Sequence, residues 1–141
     1  MDWKTALHIC LREKYADVNG RAPRSEFWWF VLFIFVVSIV LSVIDTLLFA
    51  PVAGTSGPLS LIFTLITIVP AVTVTARRLH DLNRSGWWQL LLLIPLVGFI
   101  IIVWWACLKG TEGPNRYGRD PLGGIGDPDA ETPLHDVPPA V

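Results

Sequence analysis

The sequence predicts an all-α integral membrane protein, with an N-terminal interfacial amphipathic helix followed by three transmembrane helices. Three observations carry that prediction. Of the 23 Asp, Glu, Lys and Arg in 141 residues, only five (Asp45, Arg77, Arg78, Asp81 and Arg84) fall between residues 27 and 108. Those same 82 positions contain three apolar runs of spanning length. Six of the seven tryptophans lie in pairs at the ends of those runs, where indole rings favour the headgroup layer. A charged content of 16% against roughly 25% in soluble domains, concentrated at the two ends, excludes an ordinary soluble globule and a disordered chain. The net charge of -1 gives no basic face for nucleic acid.

Residues 3–18 place Trp3, Leu7, Cys10, Leu11, Tyr15 and Val18 at helical spacing, with Lys4, His8, Arg12, Glu13 and Asp17 elsewhere on the wheel. That is an amphipathic helix suited to lie in the interface, burying Trp3 and Leu7 and leaving Lys4 and Arg12 near lipid phosphates. Asn19-Gly20 reads as its stop, and Pro23 as the boundary before the next helix.

The runs 27–50, 58–76 and 87–108 are 24, 19 and 22 residues long and together contain one charge, Asp45. A crossing needs roughly 20 apolar residues, because every backbone N–H and C=O must be satisfied within the helix. Trp87 and Trp104 are 17 residues apart, about 26 Å along a helix at 1.5 Å per residue. That spacing predicts that the third run crosses fully and does not dip in and return. Residues 1–121 then form the membrane domain, and 122–141 a flexible acidic tail rich in proline and glycine.

Orientation follows from Lys and Arg in the short flanks. With the N-terminus in the cytoplasm, the inner side collects five from the head and three from residues 77–86. Three crossings place the C-terminus outside, a placement that Lys109, Arg116 and Arg119 oppose, so the side of the tail stays open at this point.

The densest polar group runs from Arg77 through Arg78, His80, Asp81 and Arg84 to Trp87 and Trp88. Guanidinium groups suit bidentate phosphate binding and the inner leaflet is anionic. These residues, with Arg21 and Arg24 on the same side, are candidates for a lipid-headgroup or anion site; the plainer reading is that the arginines only fix orientation. Asp45 lies roughly 8 Å from the outer end of its run, which favours a solvated carboxylate over an ion relay. Pro70 and Pro95 should kink spans two and three and free the carbonyls of Ile66 and Leu91. Paired kinks would open a niche that Thr67 or Thr73 could line, and with Asp45 they form the candidate set for transport. His80 beside Asp81 is no catalytic dyad, since neighbours in sequence rarely face each other. No catalytic constellation, metal-ligand spacing or cofactor motif is visible.

The polar loop also carries a resemblance. Arg77-Arg78-Leu79-His80-Asp81, Arg84-Ser85-Gly86-Trp87-Trp88 and Ile94-Pro95-Leu96-Val97-Gly98 resemble the YhaH-like bacterial inner-membrane proteins, the domain of unknown function 805 family. Further matches are Gly20-Arg21-Ala22, Glu26-Phe27-Trp28 and the stretch from Gly110 to Gly118 with Asp120-Pro121. The likeness spans roughly residues 2–121 and implies a multi-pass helical protein of the bacterial inner (plasma) membrane with no assigned activity. It suggests that the arginine loop and the Asn115–Pro121 segment form a shared surface. The function expected from residues and resemblance together is a non-enzymatic membrane component whose cytoplasmic arginine–tryptophan surface binds anionic lipid or a partner protein. A small transporter or channel subunit is the alternative. Membrane lipids are the expected partners, with self-association or a larger membrane protein because three helices bury little surface among themselves.

Overall fold

The computed structural model describes residues 1–49 and 57–123. The expected outer loop at 51–57, apart from Gly57, and most of the expected 122–141 tail lie outside the described residues. Every regular element among them is helical.

The N-terminal helix α1, Trp3–His8, passes directly into one π-helical stretch, Ile9–Glu13. It ends short of the expected residue 18. Asp17 explains the stop, because its carboxylate accepts from the Asn19 N–H at 2.9 Å and pairs with the Lys14 ammonium, binding the chain into a local turn.

Helix α2, Arg24–Phe49, and helix α3, Pro58–Asp81, are long and apolar enough to cross a membrane. At 1.5 Å per residue they measure roughly 39 and 36 Å. Only 11% of the most apolar window of α2 and 28% of that of α3 is buried inside the protein. A soluble core helix of this composition would be mostly covered, so these surfaces call for an apolar surrounding.

Helix α3 starts with Pro58 in the first turn, where a missing N–H costs nothing. It stops in a Schellman arrangement. Asn83 takes φ 57°, the Arg84 N–H donates to Leu79 O and the Asn83 N–H to His80 O, each at 2.9 Å. Asparagine tolerates this left-handed geometry better than most residues, which accounts for its use here in place of glycine.

The run 87–108 departs from expectation: it is not one helix. Gly86–Leu93 is a 3-10 helix, capped by the Ser85 hydroxyl, which accepts from the Trp87 N–H. The chain then breaks at Ile94-Pro95-Leu96 and restarts as α4, Val97–Cys107. Ile94 is extended, as a residue before proline prefers. Leu96 adopts φ 65°, ψ -62°, and the Val97 N–H donates to Pro95 O at 2.8 Å, a γ-turn that reverses the chain. The two limbs then pack on each other. Trp88, near the start, meets Trp105, near the end, with ring centroids 5.8 Å apart and edge-on. Gly98 lies so close to the Leu91 carbonyl that a β-carbon could not fit between them. Helix α4 alone measures roughly 16 Å, about half the thickness of a hydrocarbon core of roughly 30 Å. The tryptophan spacing suits a crossing, but the ends of the run are neighbours and not opposite poles.

Two small cores hold the assembly. Phe27 and Phe30 of α2, Val74 of α3, Ala106 of α4, Cys10 and Ala22 form one. Leu79, Ile102 and Trp105 form the other, where the hairpin docks on the end of α3.

Candidate functional site: a buried arginine clasp

The start of α2, the end of α3 and both limbs of the hairpin meet at one end of the bundle, and the polar residues picked out by sequence gather there. Four of them do not face outwards. Arg21, Arg77, Arg78 and Asp81 are 8%, 2%, 1% and 3% exposed.

Asp81 is the hub. Its Oδ1 receives Arg21 Nε at 3.0 Å and Nη2 at 2.9 Å, and its Oδ2 receives Arg78 Nη1. The remaining guanidinium donors go to carbonyls. Arg21 Nη1 donates to Gly113 O at 2.6 Å and Nη2 to Thr111 O. Arg78 Nε donates to Ala106 O at 3.3 Å, Nη1 also approaches Ala22 O at 3.4 Å, and Nη2 donates to Leu108 O. Arg78 thus satisfies carbonyls at the C-terminal end of α4, which have no partner inside their own helix. Arg21 does the same for the loop beyond it. The Thr111 N–H donates to Asp81 O at 2.8 Å, and Gly110 sits against the Asp81 carboxylate where any side chain would collide.

A second buried pair lies beside the first. Arg77 Nη1 binds Glu26 Oε1 at 2.5 Å, and the Cys10 thiol lies 3.6 Å from the same oxygen. Burial first, and then the Glu26 carboxylate, push the Cys10 thiol up to about 12, so it stays protonated and unreactive. By contrast, the half-buried Asp17 carboxyl is held down at about 2 by the Lys14 ammonium and the Asn19 N–H. Two buried ion pairs are costly to desolvate and are tolerated only when hydrogen bonds complete them. Here they tie together the N-terminal segment, α3 and the C-terminal segment.

The C-terminal segment closes over this core. Asn115 and Gly118 exchange backbone hydrogen bonds of 2.9 and 3.0 Å, and the Asn115 side chain donates to His80 O. The turn lays the Tyr117 ring flat on the His80 imidazole, centroids 3.9 Å apart. His80 Nδ1 lies 3.2 Å from Gly20 O, and Arg116 donates to Asn83 O at 3.1 Å.

As a lipid-headgroup site, the expected group therefore needs correction. Arg21, Arg77, Arg78 and Asp81 are consumed inside the protein, and His80 is covered by Tyr117. Arg24 stays exposed, and Arg84 is half-buried with its guanidinium 4.3 Å from the Trp105 ring centroid. Trp87 and Trp88 are exposed. Beside Arg24, the residues Ser25, Trp28, Trp29, Leu32 and Cys107 line an open recess of about 540 Å³.

The transport candidates serve separate structural tasks. Asp45 is neither solvated nor free: 1% exposed, it accepts the Leu59 N–H at 3.1 Å and the Ser60 N–H at 2.8 Å. It caps α3 from the neighbouring helix, supplying what Gly57 at the cap cannot. Thr67 donates to Phe63 O within its own helix. Pro70 does free the Ile66 carbonyl, but the Tyr15 hydroxyl fills the vacancy at 2.6 Å. Thr73 donates to Pro70 O, with Lys14 O and Tyr15 O close by. Pro95 lies exposed in the hairpin turn, whereas Pro70 is fully buried in α3. Sequence reasoning missed Glu26, Tyr15, Cys10 and Tyr117 as members of these networks. An acid in the first turn of a spanning helix was the available signal for Glu26.

Comparison with known proteins finds relatives of the chain by sequence. Inner membrane protein YhaH of Escherichia coli K12 is 40% identical over 121 residues, covering 86% of this chain and 97% of that protein. Inner membrane protein YhaI of the same organism is 37% identical over 122 residues, covering 86% and 96%. No solved structure matches. The family model DUF805, described as a protein of unknown function, matches residues 15–119, which include the clasp and the hairpin. The chain belongs to the DUF805 family.

Proposed function

We propose that the protein is a non-enzymatic component of the bacterial inner membrane, with two crossings, a re-entrant hairpin, and both the N-terminal segment and residues 109–123 on the cytoplasmic side. The carrying observation is the placement of charge. The five Lys and Arg of the head, three of residues 77–86 and three of residues 109–119 make up all eleven in the chain. The clasp binds these three segments to one another, so the hairpin returns residues 109–119 to the arginine end. The positive-inside rule then has no dissenting residue, whereas three crossings would leave Lys109, Arg116 and Arg119 outside.

In this reading the buried arginines hold the cap together and the exposed residues meet the membrane. Arg24 lines the open recess together with Trp28 and Trp29, its Nη1 3.4 Å from Cys107 O, a guanidinium in an indole-lined recess suited to an anionic phosphate. The non-enzymatic assignment is supported by the chemistry of the clasp. Asp81 is bound by two arginines, His80 is stacked and contacts a carbonyl, and Cys10 is held as a thiol.

Topology is tested by a cysteine at position 122, in a Cys107→Ala background, probed with a membrane-impermeant maleimide. Labelling only after the cells are permeabilised is expected; labelling of intact cells overturns the two-crossing arrangement. For the recess, Arg24→Gln with Trp28→Ala is expected to reduce phosphatidylglycerol retained on purification. Unchanged retention overturns the headgroup assignment and leaves the topology standing.

A further inference from the structure

A larger groove lies on a different side of the cap. It runs between α3 and the first limb of the hairpin and has a volume of about 690 Å³. Val72, Ala76 and His80, spaced four residues apart, present one face of α3 to it, and Leu90 and Leu93 face them from the 3-10 limb. Gly86 pins the two walls together, because a β-carbon there would come within 2.9 Å of the Ala76 side chain. From Val72 to His80 the wall extends roughly 12 Å along the helix axis.

The groove is graded in polarity. Its deep part is aliphatic and belongs to the stretch of α3 that lies in hydrocarbon. Its end beside the cap carries His80, Ser85, Gln89 and Tyr117. Arg116 borders that end without lining the groove: it is exposed, its guanidinium lies 4.8 Å from the centroid of the Tyr117 ring, and its Nη2 donates to Asn83 O. An aliphatic trough ending in hydroxyl, amide and guanidinium groups at headgroup depth has the polarity profile of one phospholipid molecule. The cationic end complements an anionic head.

We propose that this groove holds a single anionic phospholipid, with one acyl chain along Val72 and Leu90 and its phosphate at Arg116. The proposal rests on the membrane placement given above but not on the Arg24 recess. The occupied groove fills the wedge between hairpin and α3, so the lipid acts as a structural part of the cap and not as a passing annular contact.

Native mass spectrometry of the full chain, released from vesicles of phosphatidylglycerol and phosphatidylethanolamine, tests it. The unmodified protein is expected to retain one phosphatidylglycerol that Arg24→Gln with Trp28→Ala does not remove. Val72→Trp and Leu90→Trp, tested separately because both positions are half exposed (46% and 53%), should each fill the trough and lower retention at least tenfold. Arg116→Gln should keep a bound lipid but remove the preference for phosphatidylglycerol. A protein released without lipid overturns the proposal. So does retention that survives both tryptophan variants but falls with Arg24→Gln, an outcome that would assign the lipid to the α2 recess instead.

Discussion

The second and third apolar runs begin with similar resources and end as different objects. Each is a largely apolar run of about 20 residues with one internal proline, yet one becomes the continuous helix α3 and the other a hairpin. The difference lies in what surrounds each proline. At Pro70 the orphaned carbonyl of Ile66 receives the Tyr15 hydroxyl from outside the helix, and α3 continues. At Pro95 Ile94 turns extended, Leu96 takes a positive φ, and Gly98 lets the returning limb press on the Leu91 carbonyl. A proline in lipid is tolerated where a neighbour answers the freed backbone group; otherwise the chain finds another path. Hydrophobicity says that a run lies in the bilayer, and its neighbours decide whether it crosses.

The hairpin must also be held at its far end, and the largest expected effect tests that hold. Asp81→Asn removes the single carboxylate that compensates Arg21 and Arg78, leaving two buried guanidinium groups without their counter-charge. Breaking a buried pair in this way costs on the order of 3–5 kcal/mol, here enough to release the return limb from α3. Thermal unfolding in detergent should show a much lower midpoint, while Arg84→Gln, a half-buried change beside Trp105, should show a small one. Thiol chemistry reports the same event. In the unmodified protein at pH 8 only the exposed Cys107 should react with maleimide, because Cys10 is buried and its pKa of about 12 keeps it protonated. A stability equal to that of the unmodified protein would show that the clasp does not retain the hairpin.

This comparison also marks how far the sequence could be read. The spans at 27–50 and 58–76 match α2 and most of α3, because charge exclusion and backbone satisfaction act on a single segment and leave their trace within it. The convergence of the arginine loop with Asn115–Pro121 was visible too, in the motifs that carry the family resemblance. The hairpin was not, since Trp87 and Trp104 at 17 residues suit a crossing as well as a return. A signal for the return lay outside the run: Lys109, Arg116 and Arg119 oppose the outer placement that three crossings would give them. Burial of the arginines was hidden for another reason. Apart from Asp81, which lies three residues from Arg78 on the same helix, their partners, Glu26 and the carbonyls of residues 106–113, come from segments separated by up to 92 residues, and pairing at that distance leaves no periodicity.

A change inside the turn should have an intermediate effect. Gly98→Val places a side chain where the Leu91 carbonyl already sits. Overpacking of this kind costs about 1–3 kcal/mol, and the limbs must part to relieve it. The expected readout is weaker contact between Trp88 and Trp105, seen as a shift in tryptophan emission, together with a lower unfolding midpoint. Leu96→Gly should act in the opposite direction by removing the strain of a positive φ on a branched side chain. If both variants unfold like the original, the two limbs do not constrain each other, and the contrast with α3 must arise elsewhere.

The smallest effect probes the other proline. Tyr15→Phe leaves the ring in place and deletes only the hydroxyl that answers Ile66 O. A hydrogen bond of this type contributes about 1 kcal/mol net, and the carbonyl it abandons lies beside a helical proline with no intrahelical donor to replace it. Hydrogen exchange then offers a sharper measurement than global stability. Amides from Ile66 to Val74 should lose protection relative to the rest of α3, while those of the hairpin keep theirs. Loss of protection confined to this stretch would establish that α3 remains a continuous helix because of a side chain contributed from residue 15. Equal protection in both proteins would mean that packing against α2 alone carries the helix through Pro70, and the contrast between the two prolines would then rest entirely on the γ-turn at Leu96.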